Sequence, residues 1–176
     1  MARHLKFLSG LLLLAVMSAG VAYAESNQEQ KVTAAILYNL VRFSEWPSDS
    51  NTNLRKPFKI CALTNADMLD ALSALNGKKI QDQSIVIQKI SDEEPIDKSC
   101  RIIFRTKQNK RVLDLNALAD SHILTVGDSE KFIEKGGCIA IHRRGKKLVF
   151  SISQTNMHRA GINPSSKILK LAEKVS

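Results

Sequence analysis

Cys61, Cys100 and Cys138 are the residues of this 176-residue chain whose chemistry can be read most directly. No two of them form the C-x-x-C pair that would hold zinc or run a redox cycle. Their odd number leaves one thiol over, and three pairings are open. Cys61 with Cys100 is favoured, because Cys61 falls in the apolar, strand-like run Phe58 to Leu63 and Cys100 immediately precedes another such run, Arg101 to Arg105. Closing that loop stabilises a fold by about 4 kcal/mol in chain-entropy terms. Three buried thiols are the alternative reading.

The remaining chemistry-bearing residues point away from catalysis. His122, His142 and His158 each stand alone among apolar or basic neighbours, not at a spacing that converges on a metal, so structural or surface roles are expected and no metal. Asp92, Glu93, Glu94 and Asp97 lack the glycine turn and alternating oxygen donors of a calcium loop and read as a solvated acidic loop. No G-x-S-x-G elbow, H-E-x-x-H helix, G-x-x-x-x-G-K loop or G-x-G-x-x-G turn is present. Ser129 and Ser151 have no assignable base. The expectation is a non-enzyme with no catalytic residue and no cofactor.

Two features could bind something. Gly127-Asp128-Ser129 and Thr64-Asn65 both lie where a strand hands over to a helix, and small ligands bind in the crevice outside the carboxyl ends of strands in open α/β sheets. Thr64, Asn65, Asp128 and Ser129 are therefore candidate ligand-binding residues, with plain helix capping as the competing explanation. Arg143-Arg144 and Lys146-Lys147 make the densest positive patch, on the tip of an expected hairpin, where charge can steer a partner as well as solvate a turn.

The elements that must position these groups follow from apolar periodicity. Val32, Ile36, Leu40 and Phe43 predict a helix over 30–46, which Pro47 stops. A strand over 58–63 leads into a helix capped by T-x-x-D at Thr64 to Asp67 and closed by Gly77. Strands are predicted at 85–90, 101–105 and 123–126, with a helix at about 109–119 and a short one carrying Phe132 and Ile133. Strands at 138–142 and 148–152 form a hairpin, and a last helix has Asn163 as cap and Pro164 at its first position. Together they predict an α/β layered fold: a mostly parallel central sheet of about six strands, a C-terminal antiparallel hairpin, and helices on both faces.

With 44% hydrophobic residues the chain can build one ordinary core. Residues 1–24 are read as a signal peptide: Arg3 and Lys6, then the apolar stretch Phe7 to Met17, then Ala22-Tyr23-Ala24 at cleavage-site spacing. Residues 25–176 are then a single exported domain. Lys and Arg number 26 against 17 Asp and Glu, a net charge of +9. Without Arg3 and Lys6 the exported part carries +7, and outside the cytoplasm that excess faces acidic protein surfaces, anionic lipid heads or cell-wall polymers rather than nucleic acid.

Four ordered blocks resemble the YfiR-like family of periplasmic regulators, over about Val32 to Ala172. The first is Ala34-Ala35-Ile36-Leu37-Tyr38-Asn39-Leu40 with Phe43, Glu45, Trp46 and Pro47. The second is Phe58 to Leu63 with Cys61, then Gly77-Lys78-Lys79-Ile80, then Cys100 before Ile102-Ile103-Phe104. The third is Leu124-Thr125-Val126 with Asp128, Phe132, Gly136-Gly137 and Ile139. The fourth is Ala160-Gly161-Ile162 followed by Ser165-Ser166-Lys167-Ile168-Leu169-Lys170-Leu171-Ala172. Ser153 departs from the family's usual Asn after F-x-I, and Cys138 has no nearby cysteine mate.

The resemblance implies a dimeric repressor in the Gram-negative periplasm. It would bind the periplasmic part of an inner-membrane diguanylate cyclase, lower cyclic-di-GMP and biofilm formation, and be drawn away by an outer-membrane lipoprotein. It also gives the Cys61–Cys100 pair a redox-regulatory reading. Arg143, Arg144, Phe150 and Ile162 are the expected partner-binding residues, two charges for steering and two apolar anchors for affinity. A periplasmic small-ligand sensor without a cyclase partner is the alternative.

Overall fold

A computed structural model describes residues 27–47, 57–80 and 82–176. The expected signal segment 1–24 lies outside them. Helix α1, residues 27–43, buries Ala34, Leu37, Leu40 and Val41; of the predicted stripe Leu40 is buried, Ile36 and Phe43 are half-buried and Val32 is exposed. It ends before Pro47, because the chain becomes extended at β1 (Ser44–Glu45) and pairs antiparallel with β9 (Asn163–Pro164). This short ribbon joins the first and last of the four sequence blocks.

The main sheet is assembled from β2 (Phe58–Leu63), β3 (Lys79–Ile80), β4 (Gln83–Lys89), β5 (Cys100–Arg105), β6 (Leu124–Gly127), β7 (Ile139–Arg144), β8 (Lys147–Ile152) and β10 (Lys174–Val175). Its spatial order is β10-β8-β7-β6-β5-β2-β4-β3. The strands from β7 through β6, β5 and β2 to β4 run parallel, while β7–β8 and β3–β4 pair antiparallel. The six longer strands are the predicted ones. The two-residue β3 and β10 are too short to leave a periodic signal.

Alternation along each strand shows why the central strands read as unbroken apolar runs: both of their faces are covered. Ile60, Ala62, Ile102, Phe104, Leu124 and Val126 pack with α1, with α2 (Ala66–Ser73) and with α5 (Ser166–Leu171). Their neighbours Cys61, Leu63 and Ile103 face the other way, toward Ile90, Ile123 and the partly buried Ile96, Leu113 and Leu118. Helix α3 (Lys131–Glu134) packs Phe132 there against Leu115 and Ala140. Helices therefore serve both faces, but most of the second cover is irregular chain.

Three expectations are corrected, and one helix is added. Residues 109–119 are not a helix: 115–122 is a series of turns, with Asp120 and His122 at φ 60° and 57°. The Arg105 guanidinium takes the carbonyls of Asn109 and Arg111 at 2.8 Å, and Asp114 Oδ1 accepts from the N–H groups of Asn116 and Ala117. Asn65, not Thr64, caps α2, its Oδ1 accepting from Met68 N at 3.0 Å. Asn163 and Pro164 are strand, and the cap position of α5 moves to Ser165. Finally, α4 (Gln154–Arg159), capped by Ser153, follows the hairpin directly and had no prediction.

Candidate functional site

The order of the sheet fixes where a crevice must open. From β2 the chain crosses through α2 to β4 on one side. It then returns over β2 to β5 and continues through β6 to β7 on the other. The reversal falls between β2 and β5, and their carboxyl ends are the place where an α/β sheet leaves room for a ligand. A cavity of about 390 Å³ opens there, lined by Asn65, Met68, Phe104, Thr106, Lys107 and Asp128 among others.

The structure thus brings Asn65 and Asp128 together and leaves their sequence neighbours out. Thr64 is buried beneath, its hydroxyl 3.3 Å from that of Thr106. Ser129 does not line the cavity; its carbonyl accepts from Phe132 N at 2.9 Å. Asp128 Oδ1 accepts from Lys107 N at 2.5 Å, and burial raises its carboxyl above the ordinary Asp range against the opposing pull of that N–H.

The basic hairpin is formed as expected, with Gly145 at φ +60° in the two-residue turn between the paired Arg144 and Lys147. Arg143 and Arg144 are exposed, and both are engaged: Arg143 with Glu29 of α1, Arg144 with Glu130 and Glu173. Phe150 and Ile162, expected as exposed anchors, are 8% and 0% exposed and belong to the main core. Phe150 lies opposite Ile141 across the hairpin on its inward face, and Ile162 follows α4 into the same cluster, so neither is on the surface.

One constellation had no local signal. The buried His142 has Nε2 3.1 Å from Ser151 Oγ and 3.5 Å from Glu173 Oε2. Its Nδ1 is 3.1 Å from Glu130 Oε1 without hydrogen-bonding alignment. Two carboxylates around an imidazole are the donor set of a divalent-cation site. Here the Arg144 guanidinium already lies 2.9 Å from Glu173 and 3.5 Å from Glu130, and it supplies the positive charge. The cluster is an ionic lock tying β7 to the chain before α3 and before β10. His122 packs its Nδ1 3.3 Å from Ala160 O, and His158 is exposed on α4.

Cys61 and Cys100 form a disulfide between β2 and β5, with Cα atoms 5.8 Å apart. Cys138 is a buried free thiol, and burial raises its pKa. The acidic loop is pinned to the body: Asp97 meets Lys59 Nζ at 2.7 Å, Asp92 accepts from Asn109, and Arg111 reaches Ser91 O.

Three of the four blocks, the first, second and fourth, meet in packing. Tyr38 lies under Arg42 and Lys78, Phe43 under Arg42 and Lys167, and Trp46 stacks edge-on against Phe58 at 5.1 Å. No helix among the described residues is long and apolar enough to cross a membrane.

A family model described as YfiR/HmsC-like matches residues 30–173. No curated protein matches the sequence. Among solved structures, a conserved domain protein from Vibrio cholerae O1 biovar eltor is similar at 10% identity and a TM-score of 0.45. That similarity covers 67% of this chain and 54% of the other, so this chain spans about half its length.

Proposed function

Because the chain belongs to the YfiR/HmsC-like family, we propose that it is a periplasmic regulator. It binds the periplasmic part of an inner-membrane diguanylate cyclase and holds down cyclic-di-GMP synthesis. The observation that carries this reading is the extent of the family match, residues 30–173, which takes in both the disulfide and the basic hairpin. In this reading residues 1–24 are a cleaved signal, residues 25–176 act as one unit that dimerises, and an outer-membrane lipoprotein draws the repressor away from the cyclase.

Repression by docking requires tighter binding to the inactive cyclase than to the active one, since equal affinity for both shifts nothing. The exposed hairpin tip, where Lys146 and Lys147 stand beside the paired Arg143 and Arg144, offers the charge that steers encounter with an acidic surface. The disulfide supplies the redox dependence: its loss loosens the link between β2 and β5 and weakens docking. The test is co-purification of the mature chain with the cyclases of its own envelope, with and without reductant. It is joined to a cyclic-di-GMP measurement in a deletion strain. Recovery of a cyclase and a rise on deletion support the reading, and unchanged levels in a strain that makes the protein overturn it.

A further inference from the structure

The crevice at the reversal between β2 and β5 has a charge balance that selects its ligand. Four of its neighbouring charges are Glu29, Arg105, Lys107 and Arg143. Glu29 is paired with Arg143. Arg105, which borders Asp128, spends its guanidinium on the carbonyls of Asn109 and Arg111. Lys107 is exposed; its backbone N–H holds Asp128, and its ammonium, like the Arg105 guanidinium, adds only a weaker Coulombic pull on that carboxylate. The fixed charge left facing the cavity is the Asp128 carboxylate, partly stripped of water with one hydrogen bond from Lys107. Below it the floor is apolar, made by Phe104, Met68 and Ile141. At about 390 Å³ the space falls within the range of small-molecule sites.

We infer that this crevice binds a small amphipathic amine, its ammonium donating to Asp128 and its apolar body lying over Phe104 and Met68. A desolvated carboxylate gains most from a charged donor, because charge-assisted hydrogen bonds are about twice as strong as neutral ones. An anion of the same size would meet the Asp128 carboxylate, and the Glu29–Arg143 pair, already neutral, would not offset that repulsion. The inference goes beyond docking to a cyclase and stands without it, since the isolated chain suffices for the measurement.

The test is calorimetric titration of the purified chain with three probes that share a phenyl body: phenethylamine, hydrocinnamyl alcohol and hydrocinnamate. Phenethylamine is expected to bind with a Kd of about 1 mM or tighter. Hydrocinnamate should bind at least about tenfold more weakly, and Asp128→Asn should weaken the amine about tenfold while leaving the alcohol unchanged. Amide chemical-shift changes on the unmutated chain, centred on Asn65, Thr106 and Asp128, locate the site independently of how the variant folds. Hydrocinnamate binding as tightly as the amine, shifts centred elsewhere, or no heat with phenethylamine up to about 10 mM would overturn the assignment.

Discussion

Gly137 leaves the space that the Phe132 ring fills: a Cβ at 137 would stand 2.2 Å from Phe132 Cδ1 and 2.8 Å from its carbonyl oxygen. Gly127 flanks the same ring, where a Cβ would lie 2.4 Å from Cγ. The third sequence block is therefore a cradle in which two glycines admit one aromatic ring. Gly127→Ala and Gly137→Ala should each cost about 1–3 kcal/mol in urea unfolding, the range for overpacking a close-packed interior. The cost of Gly127→Ala should shrink in a Phe132→Ala background, and an equal cost in both backgrounds would show that the ring is not what excludes the methyl group.

The disulfide should be worth about 4 kcal/mol by loop closure, for a sequence separation of 39. Cys61→Ala with Cys100→Ala should lower the urea midpoint by a matching amount, and reductant should then have no further effect on the double variant. Residual sensitivity to reductant would mean that the one cysteine left, Cys138, is held oxidised in the sample, for instance in a disulfide between two chains.

Two carboxylates predict opposite pH dependences. Hydrogen bonds from Lys59 and then Ser99 hold Asp97 well below the usual carboxylate range. Its stabilisation is complete above the unfolded Asp value of about 3.9 and is lost as pH falls toward the folded one. Lys59→Met should flatten the acid limb of a stability profile. Asp128 is raised instead, chiefly by burial, so its charged form is the disfavoured one in the fold. Stability then falls as pH rises from the unfolded value through the folded one. Asp128→Asn should raise the Tm at neutral pH, with the gain vanishing below about pH 4.

Arg144 and Glu173 hold the end of the sheet. Arg144 is largely exposed, so breaking the pair with Glu173→Gln should leave global stability nearly unchanged. The sensitive readout is local: hydrogen exchange at Glu173 and Ser176, whose N–H groups bond to Phe150 and Ile152, should accelerate while β5 and β6 stay protected. Uniform acceleration across the sheet would mean that the lock supports the whole fold.

The parts of this fold legible in the sequence are those whose signal is local. Phe58 to Leu63 and Ile102 to Phe104 read as buried strands because both faces are covered, and that same pattern led to the cysteine pair. The 109–119 segment misled because Leu113, Leu115 and Leu118 repeat near helical spacing, while Arg105, at the end of the preceding strand, takes the carbonyls a helix would need. Asn163-Pro164 carries a good capping pattern, yet pairing with Ser44 and Glu45 outweighs it. Phe150 and Ile162 are apolar in either reading, and only their partners across the fold say that they face inward. The lock around His142 draws on Glu130 and Glu173 from separate loops, a juxtaposition no spacing encodes. In the crevice, Asn65 and Asp128 were legible because strand ends are, whereas Phe104 and Met68 resembled ordinary core.

The sulfurs joining β2 to β5 are sealed: Cys61 and Cys100 are 0% and 1% exposed, under Leu113, Leu118 and the turns that follow. Thiol exchange needs an attacker in line with the bond, so no reductant reaches it until that lid of turns lifts. The clock for any redox response is thus set by how often the 107–122 stretch opens, and a variant that frays this stretch would answer to the same reductant sooner without any change in potential.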